Sequence, residues 1–142
     1  MTTQDMELVG TIRFAMKATK EMGLYDSRSK ETAVEKLGVE LGHELARNLA
    51  SSGQTSIYMA LESFWNDSDL GTMAVVEANP TMVILNNCYD CSVSGVGEPP
   101  TPCTFKKSLL KTIFQDSLGR PVHVDEVECC KNGGTGCIFR VK

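Results

Sequence analysis

The chain is short of positive charge: 14 Lys and Arg stand against 18 Asp and Glu over 142 residues, a formal net charge of −4, and the basic residues form no run. Tracking a phosphate backbone takes a basic stripe, so this composition argues against direct nucleic-acid binding. No apolar stretch approaches the roughly 20 residues that a membrane-spanning helix needs. Met1-Thr2-Thr3-Gln4-Asp5 leads into no signal-like segment. Together these absences point to a cytoplasmic protein without a membrane partner. Nucleotide signatures are missing as well: there is no GxGxxG and no P-loop, Gly95-Val96-Gly97 reads only as loop, and neither histidine has an evident catalytic neighbour. At this length one domain, residues 1–142, is expected, large enough to bury a core without disulfides.

Cysteine is what the chain does have. Six cysteines in a reducing compartment favour metal ligation or thiol redox chemistry over a disulfide framework.

The N-terminal half reads as helices. Asp5 to Met22 carries Met6, Val9, Ile12, Phe14, Ala15 and Met16 as an apolar face ended by Gly23. A second helix runs from about Lys30 to Ala50, with Ala33, Val34, Leu37, Leu41, Leu45 and Leu49 in a stripe and Ser51-Ser52-Gly53 as the stop. Gly38 and Gly42 lie in its interior, where each costs about 1 kcal/mol relative to alanine. Such a pair implies that another backbone comes close to this face. A third helix covers Ser56 to Asp67. Its Tyr58, Leu61, Phe64 and Trp65 cluster on one side and are the candidates for lining an internal cavity, with ordinary core as the competing reading.

Two strand-like runs follow, Gly71 to Ala78 and Thr81 to Cys88, separated by the turn signal Asn79-Pro80. Met82-Val83-Ile84-Leu85 is apolar on both alternating faces, which suggests helices on one side of the sheet and a second subunit, a homodimer, on the other. Next comes Cys88-Tyr89-Asp90-Cys91, then a Gly/Pro-rich loop. This CxxC admits three readings: two zinc ligands, a reversible disulfide, or two unrelated thiols. On spacing alone, a four-cysteine zinc site from Cys88, Cys91, Cys129 and Cys137 is also open.

The last forty residues organise the rest. Thr101-Pro102-Cys103 opens a helix, with Phe105, Leu109, Leu110 and Ile113 at helical spacing, and a thiol in a first turn is favoured as thiolate. After the break at Gly119-Arg120-Pro121, Val122, Val124 and Glu126 alternate with His123, Asp125 and Val127 as a strand would. Glu126 therefore shares a face with two valines, which is costly unless a cation or several donors meet it. In the closing strand, Cys137, Phe139 and Val141 share the inward face and Arg140 takes the other.

These residues carry a resemblance. A Cys opening a helix (Cys103-Thr104-Phe105), Glu126-x-x-Cys129, Gly133 and Cys137-x-Phe139, with Leu37-Gly38-x-x-x-Gly42-x-x-Leu45-Ala46 upstream, resemble the 4-vinyl-reductase-like domain family, a ligand-binding fold related to subunits of TRAPP vesicle-tethering complexes. The resemblance implies a zinc site of Cys103, Glu126, Cys129 and Cys137. The chain departs from the family at Ser108, where a helical glycine is usual, and at Cys130, an extra thiol beside a ligand. The implied fold is α+β: N-terminal helices packed on a four-stranded antiparallel sheet, a helix inserted after the second strand, and a zinc-stapled C-terminal hairpin.

Three function classes follow. One is a domain that binds or senses a hydrophobic small molecule, with zinc as structural staple. The second is a redox switch using Cys88, Cys91, Cys130 and the zinc thiolates, acting with a transcription regulator. The third is an enzyme related to the tetrapyrrole vinyl reductases, for which the residues supply no catalytic constellation.

Overall fold

The computed structural model describes residues 3–21, 27–53, 56–87, 104–128 and 136–142. In chain order it contains α1 (Thr3–Glu21), α2 (Ser27–Ala50), α3 (Ile57–Asp67), β1 (Thr72–Val76), β2 (Thr81–Asn86), α4 (Thr104–Leu118), β3 (Val124–Glu128) and β4 (Gly136–Val141). The strands form one antiparallel sheet in the order β1-β2-β4-β3. The α+β architecture and the helix inserted between the second and third strands are those expected from the sequence. Among the described residues, no helix is long and apolar enough to cross a membrane.

Cross-strand pairing sorts the sheet into two faces. Met73, Val83, Leu85, Val124, Cys137, Phe139 and Val141 lie on the inner face and are buried. The outer face holds Ala74, Val76, Met82, Ile84, Ile138, Asp125 and Arg140, of which Val76 is 47% exposed. So the apolar run of β2 is buried on one side and only half-covered on the other.

Helix packing follows the small residues. Facing α4, a Cβ at Gly42 would lie 2.6 Å from Thr112 Cβ and 3.0 Å from the Leu109 carbonyl oxygen, and one at Gly38 would lie 2.9 Å from the Phe105 carbonyl oxygen. The paired glycines thus admit the α4 backbone, as their spacing implied. Ser108, which replaces the expected helical glycine, fits this gap by turning its hydroxyl onto the Phe105 carbonyl at 3.0 Å. With α2 on one side and the sheet on the other, α4 is buried at Phe105, Lys106, Ser108, Leu109, Leu110, Thr112, Ile113 and Phe114.

At α3 the Ser56 hydroxyl caps the helix by accepting from the Tyr58 N–H, 3.2 Å. The Asn66 side chain then clamps β1, donating to the Met73 carbonyl at 3.1 Å and accepting from the Met73 N–H at 2.8 Å. Along α1, Leu8, Val9, Ile12, Ala15 and Met16 are buried, whereas Met6 and Phe14 are 63% and 73% exposed. The apolar face read from sequence was too wide: a stripe at i, i+3, i+4 and i+7 from Leu8 or Val9 leaves Met6 beyond its edge and Phe14 on the opposite face.

Candidate functional site

The inner face of the C-terminal hairpin brings two of the implied metal ligands into one register. Glu126 pairs with Phe139, and Cys137 is one pleat further along β4 on the same face, opposite Leu85. The alternation read from sequence therefore holds for both residues. Outward-facing Asp125 locks this register. Its carboxylate lies 2.7 Å from His123 Nε2 and 3.3 Å from Arg140 Nη2. Partial burial pushes the Asp125 carboxyl up, but the hydrogen bond from Arg140, the charge and hydrogen bond of His123, and the Arg140 charge outweigh it, leaving the group below its usual range. The pairing slips between Glu126 and Glu128, a bulge that turns Val127 outward at 52% exposure and ends the inward alternation at Glu126.

Cys103 and Cys129, the other two residues of the implied set, lie outside the described residues, as do Cys88, Cys91 and Cys130. The zinc-stapled hairpin, the rival CxxC site and the redox thiols are therefore expectations about positions beyond the described parts. Among the described residues, no three His, Cys, Asp or Glu side chains gather as a metal site. What is described of the implied set is a fully buried thiol and a half-buried carboxylate on one sheet face, at the end where α4 begins; both residue types are known zinc donors.

Sequence reading missed one member of this neighbourhood. Lys106, in the first turns of α4, is 1% exposed, and its Nζ lies 3.4 Å from Cys137 Sγ. The signal was available: positions 106, 110 and 113 share a helical stripe, and Leu110 and Ile113 are 1% and 0% exposed. A lysine on that stripe is out of place unless an acceptor awaits it.

The cavity candidates are placed differently from one another. Leu61, Phe64 and Trp65 are buried in the main core, while Tyr58 is half-buried and tilts against Phe114 with ring centroids 5.8 Å apart. Trp65 is 1% exposed, and its buried indole N–H meets no acceptor among the described residues. Among the described residues Arg13 Nε is also buried without one, although Arg13 Nη2 donates to the Ser68 carbonyl at 2.7 Å, just beyond the last turn of α3. A groove of about 340 Å³ that the sequence did not announce separates α2, α3 and α4. Leu49, Ala50, Ile57 and Ala60 line it, and Asp116, which meets His43 Nδ1 at 2.5 Å, stands at its polar side.

No protein-family model matches the chain. The uncharacterised protein MJ0745 of Methanocaldococcus jannaschii is 29% identical over 103 residues, covering 72% of this chain and 54% of its own length. MJ1642 of the same organism is 27% identical over 102 residues, covering 71% of this chain and 60% of its own. The chain thus spans little more than half the length of these curated relatives. Among solved structures, a vinyl-4-reductase family protein from Methanocaldococcus jannaschii superposes with a TM-score of 0.59 at 21% identity, over 91% of this chain and 76% of that one. The chain has the vinyl-4-reductase-like fold. The phenol-responsive sensory domain of the transcription activator PoxR, solved with phenol, shares the fold with a TM-score of 0.67 at 16% identity, over 92% of this chain and 73% of that one. So does a trafficking protein particle complex subunit 3 from Naegleria fowleri, covalently bound to palmitic acid, with a TM-score of 0.65 at 14% identity, over 95% and 93% of the two chains.

Proposed function

We propose that this domain binds and senses a small, mostly apolar molecule carrying an oxygen acceptor, and that a zinc ion held by Cys103, Glu126, Cys129 and Cys137 closes its C-terminal hairpin. The observation that carries the ligand reading is the Trp65 indole N–H, buried among apolar side chains at the end of α3 with no acceptor among the described residues. A buried donor without an acceptor costs about 1–3 kcal/mol, and a ligand hydroxyl or carbonyl would remove that cost. Phenol in the PoxR domain and palmitic acid in the Naegleria subunit both combine an apolar body with oxygen, which supports this chemistry. The zinc reading is supported by Glu126 and Cys137 sharing the inner sheet face. Three thiolates and a carboxylate complete a tetrahedral shell and leave no position open for water, so the metal is structural. Sensing needs a listener: a second copy on the half-covered outer sheet face, or a regulator protein.

The single tryptophan makes the ligand test direct. Titration with phenol or palmitate is expected to shift Trp65 emission, and Trp65→Phe to weaken phenol binding by about tenfold while changing toluene binding little. Unchanged emission with all three compounds, in protein whose mass spectrum shows no co-purified organic molecule, would overturn the ligand reading.

Elemental analysis tests the metal. About one zinc per chain is expected in the wild type and in Cys91→Ser, and none in Glu126→Ala or Cys137→Ser. Retention in Glu126→Ala with loss in Cys91→Ser would move the ion to the CxxC.

A further inference from the structure

A lysine that is 1% exposed is the least expected side chain in this core. Lysine is almost never fully buried unless paired, because moving its charge out of water is expensive. The remainder of its helical stripe, Leu110 and Ile113, is apolar, and its ammonium lies 3.4 Å from a sulfur atom that is itself fully buried. A neutral thiol is a weak acceptor, whereas a thiolate meets an ammonium with a charge-assisted hydrogen bond. Glu126 adds a carboxylate to the same sheet face, and in sequence Lys106 follows Cys103 by three residues. The lysine is therefore placed where negative charge is expected to gather.

Resting on the zinc reading above, we propose that Lys106 is the positioning and charge-balancing residue of that site: its ammonium donates to the Cys137 sulfur and offsets part of the surplus negative charge of the ligands. Three thiolates and one carboxylate around a dication leave a surplus of two negative charges, which a buried site holds poorly without nearby donors. A single ammonium halves that surplus. It also ties up a sulfur lone pair, so the bound thiolate donates less strongly to the metal and reacts more slowly with electrophiles. Lys106 thereby makes the staple resistant to alkylation and oxidation at Cys137, and the hairpin stays closed.

The test compares wild type, Lys106→Met, Lys106→Gln and Lys106→Arg in the full chain. Three readouts are taken: zinc content, the cobalt–thiolate charge-transfer band after cobalt substitution, and the rate of zinc release by iodoacetamide followed with a chromophoric chelator. Lys106→Met and Lys106→Gln are expected to move the charge-transfer band to lower energy and to speed zinc release by about tenfold or more, while Lys106→Arg stays close to wild type. The band is a property of the sulfur donor, so a merely structural loosening would not shift it. Should Lys106→Met fail to fold, the Gln and Arg variants decide. Equal band positions and equal release rates in Gln, Arg and wild type, each holding zinc, would overturn the role of Lys106 and leave the zinc reading intact. Wild type without zinc would instead overturn the zinc reading, and this proposal with it.

Discussion

Gly42→Ala is expected to lower stability by about 2–3 kcal/mol, near the upper end for an overpacked core, even though alanine is intrinsically better in a helix by about 1 kcal/mol. The new methyl group would stand 2.6 Å from Thr112 Cβ and 3.0 Å from the Leu109 carbonyl oxygen. Neither is the far end of a flexible chain: Thr112 is buried and β-branched, and the carbonyl belongs to the α4 backbone, so relief requires the two helices to separate. Gly10→Ala is the matched control. That glycine is exposed in α1, and a methyl group added there would meet nothing within 4 Å, so the substitution should stabilise by about 1 kcal/mol. Urea unfolding of the two variants measures both. A stabilising Gly42→Ala would mean that α2 and α4 are not in backbone contact.

The same contact shows what the sequence could and could not reveal. Gly38 and Gly42, four apart inside an otherwise apolar helical stripe, have no purpose in an isolated helix, so their presence alone announced a close backbone neighbour. Strand alternation was equally legible: Cys137, Phe139 and Val141 inward and Arg140 outward follow from a period of two, which allows no intermediate choice. Met6 and Phe14 were misjudged because apolar residue type was read as burial: at about 100° per residue Met6 falls beyond the edge of the buried stripe and Phe14 on the opposite face. Strand ends moved for a related reason. Gly71 has a φ of +124° and closes against the carbonyl oxygens of Asn86 and Asn87, and the Val122 amide turns to the Gln115 side chain at 3.4 Å, so β1 and β3 each begin later than apolarity suggested. Lys106 was missed for the opposite reason. Lysine is read as solvated by default, and only its place on a stripe with Leu110 and Ile113 contradicts that default. At the candidate site the inward faces of Glu126 and Cys137 came from strand alternation, whereas the place of Lys106 beside Cys137 depends on how α4 is rotated over the sheet.

Phe139→Ala is expected to cost about 3–5 kcal/mol, the range for removing a fully buried aromatic ring. Phe139 is 0% exposed on β4, which runs between β2 and β3, and it pairs with Val83 on one side and Glu126 on the other. Its ring therefore supports both the inner face of the sheet and the strand position of Glu126, which shares that face with Cys137. Truncation should loosen that position, so zinc content is expected to fall along with the urea midpoint, although no ligand has been altered. Ile138→Ala, one residue earlier and on the outer face opposite Ile84, should cost only about 1 kcal/mol, because the side chain is half-exposed and leaves no enclosed void. The contrast between adjacent positions separates the core from the surface more sharply than either value alone. It also probes the outer face. If the Ile138→Ala cost grows with protein concentration, that face is covered by a second copy in solution, since only association makes the loss of this outer-face side chain depend on concentration.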